Sequence, residues 1–557
     1  MSGLRTLPQA LARAAQTQAG ITFVAGGSET YRSYADLRHA SLGVATALRE
    51  AGFAAGDLAA LVIGDAEQFL TALFGVSLAG MVPASLNPPP TTGDLTQYFE
   101  VTASVLRAAG ARAVISSASL ADGFRRVRTF CPELAAVFEP ERLRAQPVEL
   151  GDSLALDDIA FVQFTSGSTS APKGIALTHR NLSANIDAVN GPAGLDTDGV
   201  DVAVSWLPLH HDMGLVGMTL GALYAGRPAI LLTPQDFVKR PADWLRAISR
   251  HRATVSFAPN FAYDLCVRRV KDRDVQGLDL SSWRVAGCGS EPIRARTLAS
   301  FAERFASIGF AATSFLPSYG LAEHVVAATF APRGRAPRVE RLAADELASG
   351  RRARPSADSV DVATIEVVSC GRAFPGHDIR VVDERGRPVP ERVVGEINLA
   401  GASVMLGYYK DEALSARAIR DGWLWTGDLG YLAEGELFVC GRAKDIIIIN
   451  GRKYHPQDLE WAVDGLQGVR RGRVVAFGAA SPRGSDSVVL MAEPNGTVAS
   501  SALIDSIRRR IGDLFGLHVD EVVLVPSGTI LRTASGKLQR AATKARYQRG
   551  ELLMVAS

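Results

Sequence analysis

Residues 159–174 read IAFVQFTSGSTSAPKG, an apolar run that leads directly into a loop of hydroxyls, small residues and one lysine. Glycine lets the backbone approach a ligand closely and turn successive N–H groups into one cavity. Ser and Thr add hydroxyl donors, and Lys173 adds a positive charge. This is the chemistry of a phosphate cradle. It is not the P-loop G-x-x-x-x-G-K-S/T, whose lysine directly follows the second glycine; here Lys173 stands before Gly174 and after Pro172. A solvated Ser/Gly turn would use the same residues, so the loop alone leaves both readings open and its surroundings must decide.

The apolar run is one of a series. IAFVQF (159–164), VAVSWL (202–207), PAILLT (228–233), ATVSFAP (253–259), WRVAGCG (283–289) and TSFLPSY (313–319) read as buried strands, and helical segments such as PADWLRAIS (241–249) separate several of them. The alternation predicts an α/β fold with mostly parallel sheets, in which ligands collect beyond the carboxyl ends of the strands. The hydroxyl loop, GSEP (289–292) and YGLAE (319–323) each follow such a strand, so loops far apart in sequence are expected to share one crevice.

From about 377 the texture changes to short β segments with hairpin punctuation: HDIRVVDERGRPV, GEINLAG and GELFVCG. Near 441 a smaller mixed run begins at GRAKDIIIINGRKYHPQDLEWAV. The expected division is a large N-terminal domain over 1–440 that includes a β-rich subdomain, a hinge at 441–446, and a small mobile C-terminal α+β domain over 447–557.

A chain of 557 residues exceeds what one hydrophobic core supports. The net charge of +2 supplies no overall field that argues for nucleic acid or a membrane surface. Five cysteines, scattered singly and without metal spacing, read as reduced thiols. The start, MSGLRTLPQALARAAQ, has no apolar signal core, and Asp65 and Glu67 interrupt the most apolar long stretch. No integral membrane segment and a cytoplasmic location are therefore expected.

Seven motifs in order carry a resemblance: FTSGSTSAPKGI (164–175), WLPLHHDMGLVG (206–217), GSEPI (289–293), YGLAE (319–323), WTGDLGY (425–431), GRAKDIIIINGRKYHP (441–456) and ASGKLQR (534–540). Together they resemble the adenylate-forming superfamily of acyl ligases. HHDMGLVG, TSGSTS and IIIINGRKYHPQDLE are most similar to its fatty acyl-AMP ligases. The resemblance implies ATP and Mg²⁺ as cofactors and a fatty acid as the group activated. A carboxylate reaches the α-phosphate of ATP only if repulsion between the anions is neutralised and pyrophosphate leaves in line.

On that resemblance, Thr165, Ser166, Gly167, Ser168, Thr169 and Lys173 hold the β- and γ-phosphates. Glu323 becomes a Mg²⁺ ligand, although a carboxylate there would also cap a following helix. Tyr319 stacks on adenine with Gly289, Ser290 and Glu291 as the opposite wall, and Ser318, Gly320, Leu321 and Ala322 complete the pocket. Asp428 takes the ribose diol with Arg442 bracing it, where an Asp after Gly is otherwise a turn residue. Lys537 bridges the reacting carboxylate and the α-phosphate once the small domain closes. Lys444 occupies the hinge, Lys453 faces the phosphates, and His211 stands with Asp212 at the mouth of the carboxylate channel. Trp206, Met213, Phe257 and Phe261 are candidates to line the acyl tunnel.

The acceptor is read from APRGRAPRVERLAADELASGRRARPSADSVDV (331–362), Arg-rich, polar and without a strong strand pattern. It falls where fatty acyl-AMP ligases carry an insertion that limits small-domain motion, and its length is unusual for a plain loop. This implies transfer to the phosphopantetheine thiol of an acyl carrier protein, or of a polyketide or nonribosomal peptide carrier domain, rather than to CoA. LGDSLALDD (150–158) superficially resembles a phosphopantetheine site, but it runs straight into the 159–164 strand, so the carrier is expected in trans. The tail RTASGKLQRAATKARYQRG (532–550) has six basic residues and no acidic one, and Arg508, Arg509 and Arg510 add a second cluster. That face suits an acidic carrier or is simply solvated. An acyl-CoA synthetase of the same fold and a non-catalytic nucleotide-binding protein are the alternatives.

Overall fold

The computed structural model describes residues 3–89, 95–149, 151, 154–165, 173–197, 201–350, 352–356, 364–449, 452–480, 486–533 and 536–553, and structural statements below concern these. Ser166, Gly167, Ser168 and Thr169 lie outside the described residues, as do 351 and 357–362 of the expected insertion; of Thr165 only the backbone is described.

Each apolar run forms a strand, because Val, Ile and Leu on both faces suit a sheet covered on both sides. The runs divide between two sheets. In one, Phe315–Tyr319, Val285–Cys288, Val255–Ala258, Ala203–Ser205, Ala229–Leu232 and Gly20–Ala25 lie side by side and parallel. The helix Ala242–Arg250 packs there through Trp244, Leu245 and Ile248. In the other, Ile159–Thr165 runs parallel to Val82–Ser85 and antiparallel to Lys173–Thr178, with Thr165 opposite Lys173. These two antiparallel strands flank the hydroxyl loop, and their sheet ends in the short strand Gly407–Tyr408.

An antiparallel sheet follows, built from His377–Val382, Gly395–Gly401, Trp423–Ala433, Ile419–Arg420 and Glu436–Arg442. Beyond it Leu459, Val463, Val474, Leu490 and Ile507 pack into a core of their own on the sheet Val469–Ala480, Asp486–Pro494 and Glu521–Leu524. We propose 441–446 as the hinge between the units. Among the described residues no helix is long and apolar enough to cross a membrane.

The 331–362 segment departs from its expected lack of strand pattern. Val339–Ala343 pairs antiparallel with Thr364–Val368, and Ala344–Gly350 is helical. The inward face of the strand carries Glu340 beside Leu342, which breaks the apolar alternation in sequence. Burying that carboxylate is tolerable because Arg338, Arg392 and the Tyr431 hydroxyl all donate to it, at 2.9 to 3.0 Å.

Candidate active site

The carboxyl ends of the two parallel strands Val285–Cys288 and Phe315–Tyr319, the facing ends of Ile159–Thr165 and Lys173–Thr178, the end of Glu436–Arg442 and the loop bearing Lys537 enclose one cavity of about 650 Å³. Glycine sets the approach of the walls. A Cβ on Gly289 would stand 2.5 Å from Ser318 Oγ, which itself donates to the Cys288 carbonyl at 3.2 Å. A Cβ on Gly320 would stand 1.9 Å from the Val326 carbonyl oxygen. Ser290, next along the wall, holds φ at 72°, a left-handed conformation that costs a non-glycine residue about 1–2 kcal/mol.

One wall presents an oriented carboxylate. Asp428 and Arg442 face each other across adjacent strands, and Arg442 Nε donates to Asp428 Oδ1 at 2.9 Å. The Tyr319 hydroxyl donates to Asp428 Oδ2 at 2.8 Å. Burial, and then the Asp428 charge, push the Tyr319 phenol well above its ordinary value, so it stays a donor. With each oxygen held by one partner, remaining acceptor capacity is available to a diol.

The opposite wall presents a lysine. The loop carrying Lys537 is pinned by Thr533, whose Oγ1 accepts from the Lys537 amide at 3.0 Å, and by Arg532, which donates to the Gly536 carbonyl at 2.6 Å. Lys537 Nζ stands 3.0 Å from His211 Nε2, and His211 Nδ1 stands 2.6 Å from Asp212 Oδ1. With Nδ1–H donating to the Asp212 carboxylate, the imidazole offers Nε2 as acceptor to the ammonium. Burial draws the Lys537 pKa down, against the opposing charges of Asp212 and Glu291. For Asp212, burial works upward, yet His211 and Lys537 hold the carboxyl below its usual value. Burial and then His211 draw His210 down to about 4.

Between these walls Glu323 sits in the short turn Ala322–His324, its pKa raised by burial. Its side chain accepts from the Tyr408 hydroxyl at 2.9 Å, so it does not act as the cap of a long helix. Lys173 Nζ lies 5.3 Å from the centroid of the Tyr408 ring. A buried carboxylate facing a cavity with acceptor capacity to spare fits a divalent cation that takes one protein carboxylate and substrate oxygens. Among the described residues no cluster of three or more His, Cys, Asp or Glu suits a metal held by protein alone.

Of the sequence candidates, Lys173, His211, Ser290, Glu291, Ser318, Tyr319, Gly320, Leu321, Ala322, Glu323, Asp428, Arg442, Lys444 and Lys537 all line this cavity, and Gly289 supports it from behind. Burial, and then Arg442, lower the Lys444 pKa. Lys453 does not reach the cavity. Its hairpin, Ile447–Ile449 with Arg452–Tyr454, turns Ile447 and Tyr454 inward, and Lys453 stands 3.5 Å from Glu384 instead. Phe261 lines the main cavity, while Met213, Phe257, Gly217, Val326 and Phe330 line a separate small, mainly apolar pocket that shares Ser290, Ser318, Tyr319 and Gly320 with it. Trp206 is not at the tunnel; it stacks on Phe237 at 3.8 Å in the aromatic core. Sequence reasoning missed Tyr408 and Arg532, which no periodicity marks.

The family described as AMP-binding enzyme matches residues 11–409, and one described as the AMP domain of Disco-interacting protein 2-like proteins matches 444–557. A putative acyl-CoA synthetase of Caulobacter vibrioides is 36% identical over 98% of this chain and 96% of its own. A medium-chain fatty acid acyl-carrier-protein ligase of Moorena producens is 33% identical over 87% of this chain and 84% of its own. A solved structure from work on fatty acyl-adenylate ligases of E. coli and L. pneumophila superposes with a TM-score of 0.92 at 36% identity, covering 98% of both chains.

Proposed function

The chain belongs to the AMP-binding enzymes, among their fatty acyl-AMP ligases, and from that membership we propose that it activates a fatty acid with ATP and passes the acyl group to the phosphopantetheine thiol of a carrier protein. In the first step a carboxylate oxygen of the acid bonds to the α-phosphorus, the bond to the β-phosphate bridging oxygen breaks, and pyrophosphate leaves. In the second the thiol sulfur, losing its proton, bonds to the acyl carbon as AMP departs.

The observation that carries the reading is Lys537 at 3.0 Å from His211 inside the cavity that also holds Asp428 and Glu323. In this assignment Lys537 bridges the attacking carboxylate and the α-phosphate, with developing charge stabilised in a site shielded from water. His211 and Asp212 hold its ammonium in place. Asp428, braced by Arg442 and Tyr319, takes the ribose, and the Tyr319 ring takes adenine against Ser290 and Glu291. Lys173 and the hydroxyl loop take the distal phosphates. Glu323 would hold Mg²⁺, which would neutralise phosphate charge there.

The Caulobacter relative is named an acyl-CoA synthetase and the Moorena relative a carrier-protein ligase, so the preference for carrier protein over CoA rests on the segment after residue 331. Arg452 donates to Asp345 of that segment's helix at 3.1 Å, an exposed contact between the segment and the small unit. The test is mass spectrometry of products from purified protein, ATP, Mg²⁺ and fatty acids of C8 to C18, with and without CoA. Acyl-AMP that accumulates and ignores CoA is expected. Conversion to acyl-CoA would instead make the chain an acyl-CoA synthetase, and no pyrophosphate with any acid would refute the activity.

A further inference from the structure

We propose that Tyr408 is a positioning residue that fixes two opposite charges of the site at once: its hydroxyl holds the Glu323 carboxylate toward a divalent cation, and its ring face holds the Lys173 ammonium toward the phosphates. The inference rests on the ATP-dependent reading above and deepens it.

The geometry begins in the backbone. Tyr408 and Gly407 pair with Ile175 and Ala176 of the strand that starts at Lys173. The amides of Leu406 and Tyr409 donate to the carbonyls of Ala176 and Gly174, at 3.0 and 2.7 Å, and the Met405 amide donates to the Glu323 carbonyl at 2.9 Å. A five-residue segment thus stitches the turn of Glu323, beyond one parallel sheet, to the edge of the other. Ser415 fixes the segment further, since its Oγ accepts from the Tyr408 amide at 2.8 Å.

From that position the side chain meets both charges. Its hydroxyl donates to Glu323 Oε1 at 2.9 Å, and Lys173 Nζ stands 5.3 Å from its ring centroid, within cation–π reach. One O–H occupies one acceptor position of a carboxylate that has about four, so the contact orients Glu323 without consuming it. A neutral side chain in contact with both groups orients each without neutralising it, so that both stay available to the nucleotide. Tyrosine combines a single donor at its tip with an aromatic face, as both contacts require.

The two contacts separate by mutation. Tyr408→Phe keeps the ring and removes the hydroxyl; Tyr408→Leu removes both. ATP binding is measured by calorimetry on the full chain, without fatty acid, across a series of Mg²⁺ concentrations. For Tyr408→Phe the Mg²⁺ concentration at the midpoint of tight ATP binding is expected to rise roughly tenfold, as for loss of a hydrogen bond to a charged group, while metal-free ATP affinity stays within about twofold of wild type, because the ring under Lys173 is retained. Tyr408→Leu should show the same rise and also a metal-free affinity lowered about two- to fivefold. A Tyr408→Phe protein with the wild-type Mg²⁺ midpoint, or one whose metal-free affinity falls as well, overturns the proposal. A wild-type protein that binds no ATP at any Mg²⁺ concentration instead overturns the adenylation reading, and the proposal with it.

Discussion

Adding one methyl group at Gly536 tests whether Lys537 acts from the seated position. Gly536 holds φ at +83°, and a Cβ there would stand 2.5 Å from Cζ of Phe261 on the opposite wall. On one side the ring cannot retreat, because it packs edge-on against Trp206 at 6.0 Å, and Trp206 is itself stacked on Phe237; on the other side it faces the cavity. Gly536→Ala therefore carries two costs. The left-handed backbone costs about 1–2 kcal/mol wherever the turn persists, seated or not. The overlap with Phe261, about 1–3 kcal/mol by analogy with overpacked cores, falls only on the arrangement that seats Lys537. Only the second cost lowers the seated fraction, and at about 1.4 kcal/mol per decade it predicts adenylation about 5- to 150-fold slower. The assay is pyrophosphate release at saturating ATP and acid, with ATP affinity expected to hold. Compared with Phe261→Leu alone, adding Gly536→Ala should cost much less, since the shorter side chain yields, and the difference is a direct coupling energy. Gly536→Ala within threefold of wild type, or an undiminished effect in the Phe261→Leu background, would refute the reasoning.

Lys537→Ala is expected to slow adenylation by several orders of magnitude while ATP still binds, which stopped-flow pyrophosphate release and calorimetry would show together; near-normal turnover would remove Lys537 from its role. Asp212→Asn removes the charge that fixes the His211 tautomer, and kcat for acyl-AMP formation should fall roughly 10- to 100-fold, as for loss of a buried charged hydrogen bond, with KM for ATP unchanged. A rise in KM alone would mean that the pair binds nucleotide rather than positioning lysine. A pH effect follows from Asp458, whose carboxyl is pushed up to about 8 by burial and then by Glu460. The folded state keeps a proton that the unfolded chain releases above pH ~4, so this group lowers stability progressively from about pH 4 to 8. Asp458→Asn should therefore raise Tm over wild type above pH 8, with the gap closing toward pH 4 in thermal melts; a gap independent of pH would contradict the buried carboxyl.

What the sequence discloses depends on whether a residue's role is written in its neighbours along the chain or across space. The parallel strands were readable because burial on both faces forces runs such as Ala229–Leu232, and the loops of the site were readable because they follow such runs. Val339–Ala343 was hidden for the converse reason: Glu340 faces inward, and the two arginines and the tyrosine that make this tolerable stand at 338, 392 and 431, so no local pattern reports it. Lysines show the same limit. Lys453 and Lys537 both sit beside punctuating residues in basic stretches, yet the register of one hairpin sends the first toward Glu384, while the turn at Gly536 sends the second onto His211. Tyr408 lies in a strand of two residues, too short to have a period, and its meaning comes from contacts made 85 residues away at Glu323 and across a sheet edge at Lys173. Apolar periodicity therefore locates where this site is built. The charges that make it reactive are set by pairings that only the closed fold brings into contact, which is why substitutions at Gly536 and Tyr408, neither a charged group, are the sharper tests of the chemistry.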